Sequence, residues 1–167
     1  MKYLVVIDVQ NDFIDGALGS PEAQNVIEKI KEKIDSFDGE IVYTRDTHKE
    51  NYLETQEGRM LPVIHCVEGT KGWQISDEIE VKGRIFNKPT FGSIELAQYL
   101  KENKAESVEL IGLDTDICVI SNAMTIKAFM PEVPIFVDAD CCAGTSEENH
   151  KKALDVMKIC QVTVKGE

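Results

Sequence analysis

Three side chains that could perform nucleophilic catalysis together stand at or near the ends of predicted strands: Asp8, Lys88 and Cys118. The carboxyl ends of parallel strands meet at one edge of a sheet, so we expect these side chains to lie close together. There a carboxylate could accept the proton of the thiol, and an ammonium could hold both anions. Taken singly, they would be a turn aspartate, a surface lysine and a buried packing cysteine. Their shared edge favours a cysteine nucleophile.

Cys118 lies where the predicted strand 107–113 gives way to a helix. Thr115 and Asp116 just before it are residue types that cap helix N-termini. Unpaired N–H groups and the helix dipole stabilise an anion at a helix start, so we expect a lowered pKa for this thiol. The cation of Lys88 would lower that pKa further.

A second group of residues could bind a metal ion. Asp46 and His48 are two apart, so on an extended segment both can face one side, and His65 follows across a loop. Mixed histidine and carboxylate ligands suit zinc, manganese or iron. Taken without other support, a surface His48 and a packed His65 explain the pattern better.

Three aromatic residues, Phe13, Trp73 and Phe91, lie close in sequence to these groups. Each could stack on a flat substrate ring, and each could equally be a core aromatic. His150 falls in the last predicted helix, where we expect it at the surface.

Strands that alternate with helices must position these residues. The predicted strands are 3–9, 40–45, 84–87, 107–113, 133–137 and 161–164, and the predicted helices are 21–37, 93–103, 118–130 and 146–159. This alternation predicts a three-layer α/β fold: a mostly parallel central sheet with helices on both faces, in a single domain over 1–167. The loop-rich stretch 46–83, with a short helix at 73–78, is long enough to indicate a functional segment.

Composition excludes several classes of function. The chain has 167 residues with 18 Lys and Arg against 30 Asp and Glu, a net charge of -12 that disfavours binding to nucleic acid. No apolar stretch approaches the ~18 residues of a membrane span. Five cysteines without regular spacing predict free thiols and a cytoplasmic location. No Gly-x-Gly-x-x-Gly follows a strand, which disfavours a dinucleotide cofactor.

Five short motifs follow one another along the chain. They are Asp-Val-Gln-Asn-Asp-Phe at 8–13, Asp-Thr-His at 46–48, His-Cys at 65–66, Lys-Pro-Thr-Phe at 88–91 and Gly-Leu-Asp-Thr-Asp-Ile-Cys at 112–118. This ordered set resembles the cysteine hydrolases of the nicotinamidase and isochorismatase-like superfamily, over residues 1–145. The resemblance implies an isochorismatase-like, Rossmann-like fold.

The resemblance also implies a catalytic triad. In that scheme Asp8 takes the thiol proton, Lys88 orients the other two groups, and Cys118 attacks an amide carbonyl to form a thioester that water hydrolyses. The backbone N–H groups of Asp114 and Cys118 would form the oxyanion hole, with a cis peptide bond at Leu113–Asp114.

A divalent metal ion is the further implication of the resemblance, with zinc expected first and manganese or iron as alternatives. Asp46, His48 and His65 match three of the ligands. Where many nicotinamidases have a further histidine, this chain offers carboxylates. Glu57 is favoured because Glu-Gly-Arg-x-x-Pro before His65 resembles the glutamate form of the site, and Glu54 is the second choice.

The implied activity is release of ammonia from a small amide, first of all nicotinamide. The metal would coordinate the pyridine nitrogen and hold the carboxamide against Cys118, with Phe13, Phe91 and Trp73 as candidate substrate contacts. One alternative is hydrolysis of another amide or a ureide, and another is a catalytically silent binding domain of the same fold. Isochorismatase itself is disfavoured, because its ether cleavage does not need the cysteine. A homo-oligomer is left open.

Overall fold

The computed structural model describes residues 1–167 and contains a six-stranded parallel sheet. The strands are β1 (Lys2–Ile7), β2 (Glu40–Asp46), β3 (Ile85–Lys88), β4 (Ser107–Leu113), β5 (Ile135–Ala143) and β6 (Thr163–Lys165). They lie in the order β3-β2-β1-β4-β5-β6, and every neighbouring pair is parallel. The chain therefore winds outward from β1 in one direction and from β4 in the other. Such a switch point opens a crevice at the carboxyl ends of the two strands.

Helices cover both faces of the sheet. They are α1 (Asn11–Ile14), α2 (Pro21–Ser36), α3 (Gln56–Met60), α4 (Ile94–Glu102), α5 (Ile120–Phe129) and α6 (Glu147–Ile159), with a 3₁₀ turn at Tyr52–Glu54 and a π-helical turn at Thr115–Val119. Ser20, Ser93 and Ser146 precede α2, α4 and α6, and each side chain accepts a hydrogen bond from the N–H three residues on. These caps satisfy donors that a helix start leaves unpaired.

Alternation along the strands divides the core into two layers. In β1, Leu4 and Val6 pack with α2, whereas Tyr3, Val5 and Ile7 face the layer that holds the buried residues of α4, α5 and α6. A parallel strand covered on both faces is apolar along its buried length, as β1 is from Tyr3 to Ile7. The predicted three-layer α/β fold is therefore confirmed. None of the helices is long and apolar enough to cross a bilayer.

The structure corrects the predicted short helix at 73–78. The backbone groups of this segment pair with the chain after β1 instead: Asn11 N donates to Gln74 O, Ser76 N donates to Val9 O, and Ile75 forms an antiparallel bridge. Because these groups are already paired, a helix cannot form there. The helical turns of this region lie earlier, at Tyr52–Glu54 and Gln56–Met60.

The fifth strand is also longer than the predicted 133–137. It runs to Ala143 and carries two aspartates that face α2, where Lys33 Nζ lies 2.8 Å from Asp138 Oδ2 and Lys29 Nζ lies 2.7 Å from Asp140 Oδ1. Lysines on the covering helix thus allow charged residues within a strand, which the sequence pattern alone did not indicate.

Candidate active site

The three reactive side chains come from three strands and meet at the switch point. Asp8 follows β1 directly, Lys88 ends β3, and Cys118 lies in the π-helical turn after β4. Asp8 has a φ of 47°, a left-handed conformation that costs a non-glycine residue roughly 1–2 kcal/mol. Its N–H bonds Thr44 on the neighbouring strand, which holds this turn in place. Backbone strain of this kind is typical of functional sites.

Lys88 contacts both other groups. Its Nζ lies 2.6 Å from Asp8 Oδ2 and 3.3 Å from Cys118 Sγ, and it donates to the carbonyl of Thr90 at 3.2 Å. The Thr44 hydroxyl donates to the other oxygen of Asp8 at 2.7 Å. All three reactive residues are buried, with 0% exposure for Asp8, 1% for Lys88 and 5% for Cys118. The sequence prediction that they share one edge of the sheet therefore describes their actual placement.

Burial decides the resting protonation of this cluster. It raises the pKa of the Cys118 thiol well above its usual value. The nearby Asp8 carboxylate raises that pKa further, and the smaller opposing effect of Lys88 does not cancel this rise. The expected lowering of this pKa is therefore wrong. Burial also raises the pKa of Asp8, against the charge of Lys88. Burial alone would lower the pKa of the Lys88 ammonium, but the negative groups around it raise that pKa overall. The arrangement suits a thiol that stays neutral until a carboxylate of raised basicity removes its proton.

The turn that holds Cys118 is not capped as predicted. Asp114 takes the N-cap position, and its carbonyl accepts hydrogen bonds from the N–H groups of Ile117 and Val119, both at 3.1 Å. The peptide bond Leu113–Asp114 is cis. Burial, with the charges of Asp116 and Asp8, raises the pKa of the Asp114 carboxyl to about 7.

Thr115 and Asp116 instead tie this turn to the last helix and to the loop that precedes it. The Thr115 hydroxyl is 2.7 Å from His150 Nδ1, and Asp116 accepts hydrogen bonds from the N–H and hydroxyl of Thr145 at 2.8 and 2.6 Å. His150, expected at the surface, is half-buried, and burial lowers its pKa. No spacing in the sequence indicated this pairing, because it depends on how α6 packs against the turn.

Beside the three reactive groups lies a cluster of four possible metal ligands. Asp46, His48, Glu57 and His65 each place one ligand atom within 4.8 Å of the others. Asp46 Oδ2 is 2.9 Å from His48 Nε2 and 3.4 Å from His65 Nε2, and Glu57 Oε1 is 3.6 Å from His48 Nε2. Of the two predicted carboxylates, Glu57 joins the cluster, whereas Glu54 is exposed outside it.

The donor set fits a divalent cation. His65 donates from Nδ1 to Val63 O at 2.7 Å, which turns Nε2 toward the cluster, and this outer bond is typical of metal-binding histidine. Burial, followed by the charge of Asp46, raises the pKa of Glu57. Burial acts against ionisation of Asp46, but hydrogen bonds from both histidines lower its pKa overall. Two carboxylates and two imidazoles in a largely buried site match zinc, manganese or iron.

Gln10 is a residue that sequence reasoning missed. Its side chain is fully buried and holds both backbone groups of Asp46: the amide oxygen accepts from Asp46 N at 2.7 Å, and Nε2 donates to Asp46 O at 2.8 Å. It also donates to Trp73 O at 2.8 Å. Its place between Asp8 and Asp12 in the first motif was the available signal.

The three predicted aromatic contacts differ in placement. Phe13 is buried with its ring edge-on to His65, at 5.6 Å between ring centres. Trp73 donates from its ring to Thr47 Oγ1 at 2.9 Å, and Arg45 covers its face at 3.5 Å. Phe91 is 41% exposed. Of these three, Phe13 packs against a possible metal ligand, while Arg45 covers one face of Trp73.

A doubly wound parallel sheet with a carboxylate, an ammonium and a thiol at its switch point defines an α/β protein with a cysteine-centred site. A family model described as the Isochorismatase domain matches residues 2–166, so the chain belongs to the isochorismatase domain family. This confirms the resemblance read from the sequence motifs. The nicotinamidase of Saccharomyces cerevisiae is 26% identical over 214 residues, covering 98% of this chain and 99% of the relative.

Two solved structures share this fold at similar distance. The pyrazinamidase of Pyrococcus horikoshii, in complex with zinc, has a TM-score of 0.84 and 29% identity, covering 98% of this chain and 97% of its own. The N-carbamoylsarcosine amidase of Thermoplasma acidophilum has a TM-score of 0.82 and 31% identity, covering 99% and 96%. Both extend over essentially the whole fold described above.

Proposed function

We propose that this protein is an amidohydrolase that releases ammonia from a small amide, with nicotinamide as the first candidate substrate. The observation that carries the proposal is the buried cluster of Asp8, Lys88 and Cys118 beside four possible metal ligands. Hydrolysis of a non-peptide C–N bond is also the class of reaction named for the yeast relative and the Pyrococcus structure.

The proposed reaction begins when Asp8 removes the proton of Cys118. The thiolate then attacks the amide carbonyl, and the N–H groups of Asp114 and Cys118 donate to the oxyanion that forms. Asp8 returns its proton to the amide nitrogen as the C–N bond breaks, which releases ammonia and leaves a thioester. Asp8 next takes a proton from water, and the hydroxide attacks the thioester carbonyl. As the C–S bond breaks, Asp8 gives that proton to the sulfur of Cys118, which releases the carboxylic acid and regenerates the thiol and the Asp8 carboxylate.

Lys88 stabilises the charges that this sequence creates. Its ammonium lies between Asp8 and Cys118, at 2.6 and 3.3 Å, so it can stabilise the negative charge on either group as the proton moves. Because both partners are buried, this charge interaction is stronger than it would be in water. A cation fixed there keeps the attacking sulfur aligned with the base.

Asp46, His48, Glu57 and His65 would hold one divalent cation, with zinc as the first candidate. When bound, that cation supplies a Lewis-acid contact for a ring nitrogen of the substrate. Because Phe13 packs against His65, a substrate ring bound to the cation would lie next to the apolar surface of Phe13. Phe91 and Trp73 are proposed as further contacts at the entrance.

A second candidate substrate is a carbamoyl compound. It is supported by the similarity to the N-carbamoylsarcosine amidase, which is 31% identical to this chain. The same attack on a carbonyl followed by loss of ammonia would apply to it. What separates the two candidates is the substrate's ring, because only a pyridine offers a nitrogen to the metal.

The test is ammonia release from purified enzyme with nicotinamide, pyrazinamide and N-carbamoylsarcosine, with and without added zinc. Cys118→Ala should abolish release, and Cys160→Ala serves as the matched control because Cys160 is a free thiol outside the site. Activity that survives in Cys118→Ala would exclude the thioester mechanism. Hydrolysis of the carbamoyl compound alone would replace nicotinamide by the second candidate. A binding domain without catalysis would hydrolyse none of them.

A further inference from the structure

A fully buried asparagine joins two parts of the site that come from distant segments of the chain. Asn122 lies in the first turn of α5, four residues after Cys118, and its Nδ2 donates to Cys118 O at 2.8 Å. The same Nδ2 donates to Phe91 O at 3.0 Å, and Oδ1 accepts from Ser93 N at 3.0 Å. One side chain thus binds three backbone groups, two of them 29 and 31 residues away.

The bonded loop is the segment that follows Lys88. Within it Thr90 O accepts the hydrogen bond from Lys88 Nζ at 3.2 Å, and Phe91 is one of the proposed substrate contacts. Gly92 packs so closely against α5 that an added Cβ would come within 2.6 Å of Thr125 Oγ1. The loop therefore rests on the same helix that continues from the Cys118 turn.

We propose that Asn122 is a positioning residue, which fixes the loop after Lys88 to the turn of Cys118 and so sets the alignment of ammonium and thiol. The inference rests on the proposed function for its kinetic consequences, but not for its geometry. No group of Asn122 touches the reacting atoms. Its effect reaches them through three backbone contacts, one to the Cys118 turn and two to the loop after Lys88, on the two sides of the 3.3 Å approach of Lys88 Nζ to Cys118 Sγ.

Asparagine suits this position because of its particular donors and acceptor. Its side chain can donate twice and accept at once, and a buried polar group must satisfy those capacities. Threonine can bond only the carbonyl four residues back, as Thr125 does to Ser121 O at 2.8 Å in the same helix. Aspartate keeps the acceptor for Ser93 N but loses both donations. The two substitutions therefore separate the bond within the helix from the bonds to the loop.

The test compares Asn122→Thr and Asn122→Asp with Asn103→Asp. Asn103 is the matched control, because its Nδ2 also donates to the carbonyl four residues back, Tyr99 O at 2.8 Å, but at an exposed helix end. We expect kcat to fall about tenfold or more in both Asn122 variants, since small misplacements of reacting groups have effects of this size. Activity is expressed per folded molecule, from thermal unfolding of each sample.

A second readout does not depend on the substrate. Iodoacetamide alkylation of Cys118, followed by mass spectrometry of its peptide at neutral pH, reports how readily the thiol ionises beside Lys88. A merely loosened loop would expose Cys118 and raise this rate, whereas a displaced ammonium should lower it several-fold. We expect Asn122→Thr to show both slower alkylation of Cys118 and a lower kcat. Asn103→Asp should show neither change.

Other outcomes overturn the inference. If kcat per folded molecule is unchanged, or alkylation speeds up, Asn122 only stabilises the fold. If no amide is hydrolysed by the unmodified protein, the proposed function fails while the alkylation comparison still decides the role of Asn122. If Asn122→Asp does not fold, Asn122→Thr keeps the helical bond and carries the comparison.

Discussion

Replacing Lys88 by methionine tests whether its ammonium holds the site together. The Lys88 side chain is fully buried, with Asp8 Oδ2 at 2.6 Å and Asp46 Oδ1 at 3.6 Å. Removing one partner of such a pair leaves an uncompensated buried charge and costs about 3–5 kcal/mol. For a protein of this size that lowers the midpoint of thermal unfolding by roughly 10 °C. Methionine keeps most of the volume, so a cavity contributes little.

The pH dependence identifies the charge responsible. In Lys88→Met the buried Asp8 should keep its proton at a pH where the unfolded chain has lost it, because burial raises its pKa and no ammonium opposes that. The folded state then binds more protons, so the free energy of unfolding should fall as pH rises from about 5 to 8, by at most about 1.4 kcal/mol per pH unit. Urea unfolding at several pH values measures this slope.

The double variant Asp8→Asn with Lys88→Met provides the control. Removing the carboxylate as well should restore most of the lost stability at pH 8 and flatten the dependence on pH, while amide hydrolysis stays absent in both variants. Two results would refute this reasoning: a single variant as stable as the unmodified protein at pH 8, or a double variant no more stable than the single one.

Three further predictions concern the neighbouring groups. Glu57→Gln should weaken zinc binding in a competition titration, whereas Glu54→Gln should leave it unchanged; equal loss in both would remove Glu57 from the ligand set. Gln10→Leu should weaken zinc binding about 10- to 100-fold by releasing the backbone of Asp46, and unchanged affinity would contradict this. Since burial raises the pKa of Asp114 to about 7, the free energy of unfolding should fall as pH rises from about 4 to 7. Asp114→Asn should remove that loss, worth about 1–3 kcal/mol. Urea unfolding at several pH values measures it, and the same slope in both proteins would contradict the prediction.

The parts of this site that could be predicted from the sequence follow from strand geometry. Asp8, Lys88 and Asp46 end or directly follow β-strands, and parallel strands bring their carboxyl ends to one edge whatever the details of packing. The position of Glu57 was accessible only through the resemblance to known motifs. Its carboxylate reaches the cluster because the side chain of Thr55 caps a short helix there, in a segment without clear periodicity.

The parts that could not be predicted depend on packing between segments distant in sequence. The contacts of Asn122 form only because the loop after Lys88 lies against the Cys118 turn. The contact of His150 likewise forms only because the last helix packs against that turn. The sign of the thiol pKa shift likewise depends on burial, which the position of Cys118 at a predicted helix start did not reveal. A helix terminus lowers a thiol pKa only where solvent or cations offset the cost of burying the charge.

Asp46 lies between the four possible metal ligands, of which it is one, and the cluster of Asp8, Lys88 and Cys118. One of its oxygens faces both histidines, and the other lies 3.6 Å from Lys88 Nζ. Asp8, Asp46 and Glu57 place three carboxylates in the region against a single ammonium, so two negative charges are unbalanced when all three ionise. Burial makes such an imbalance costly. A divalent cation would balance those two charges, and its binding would then be coupled through Asp46 to the ionisation of Asp8, the proposed base.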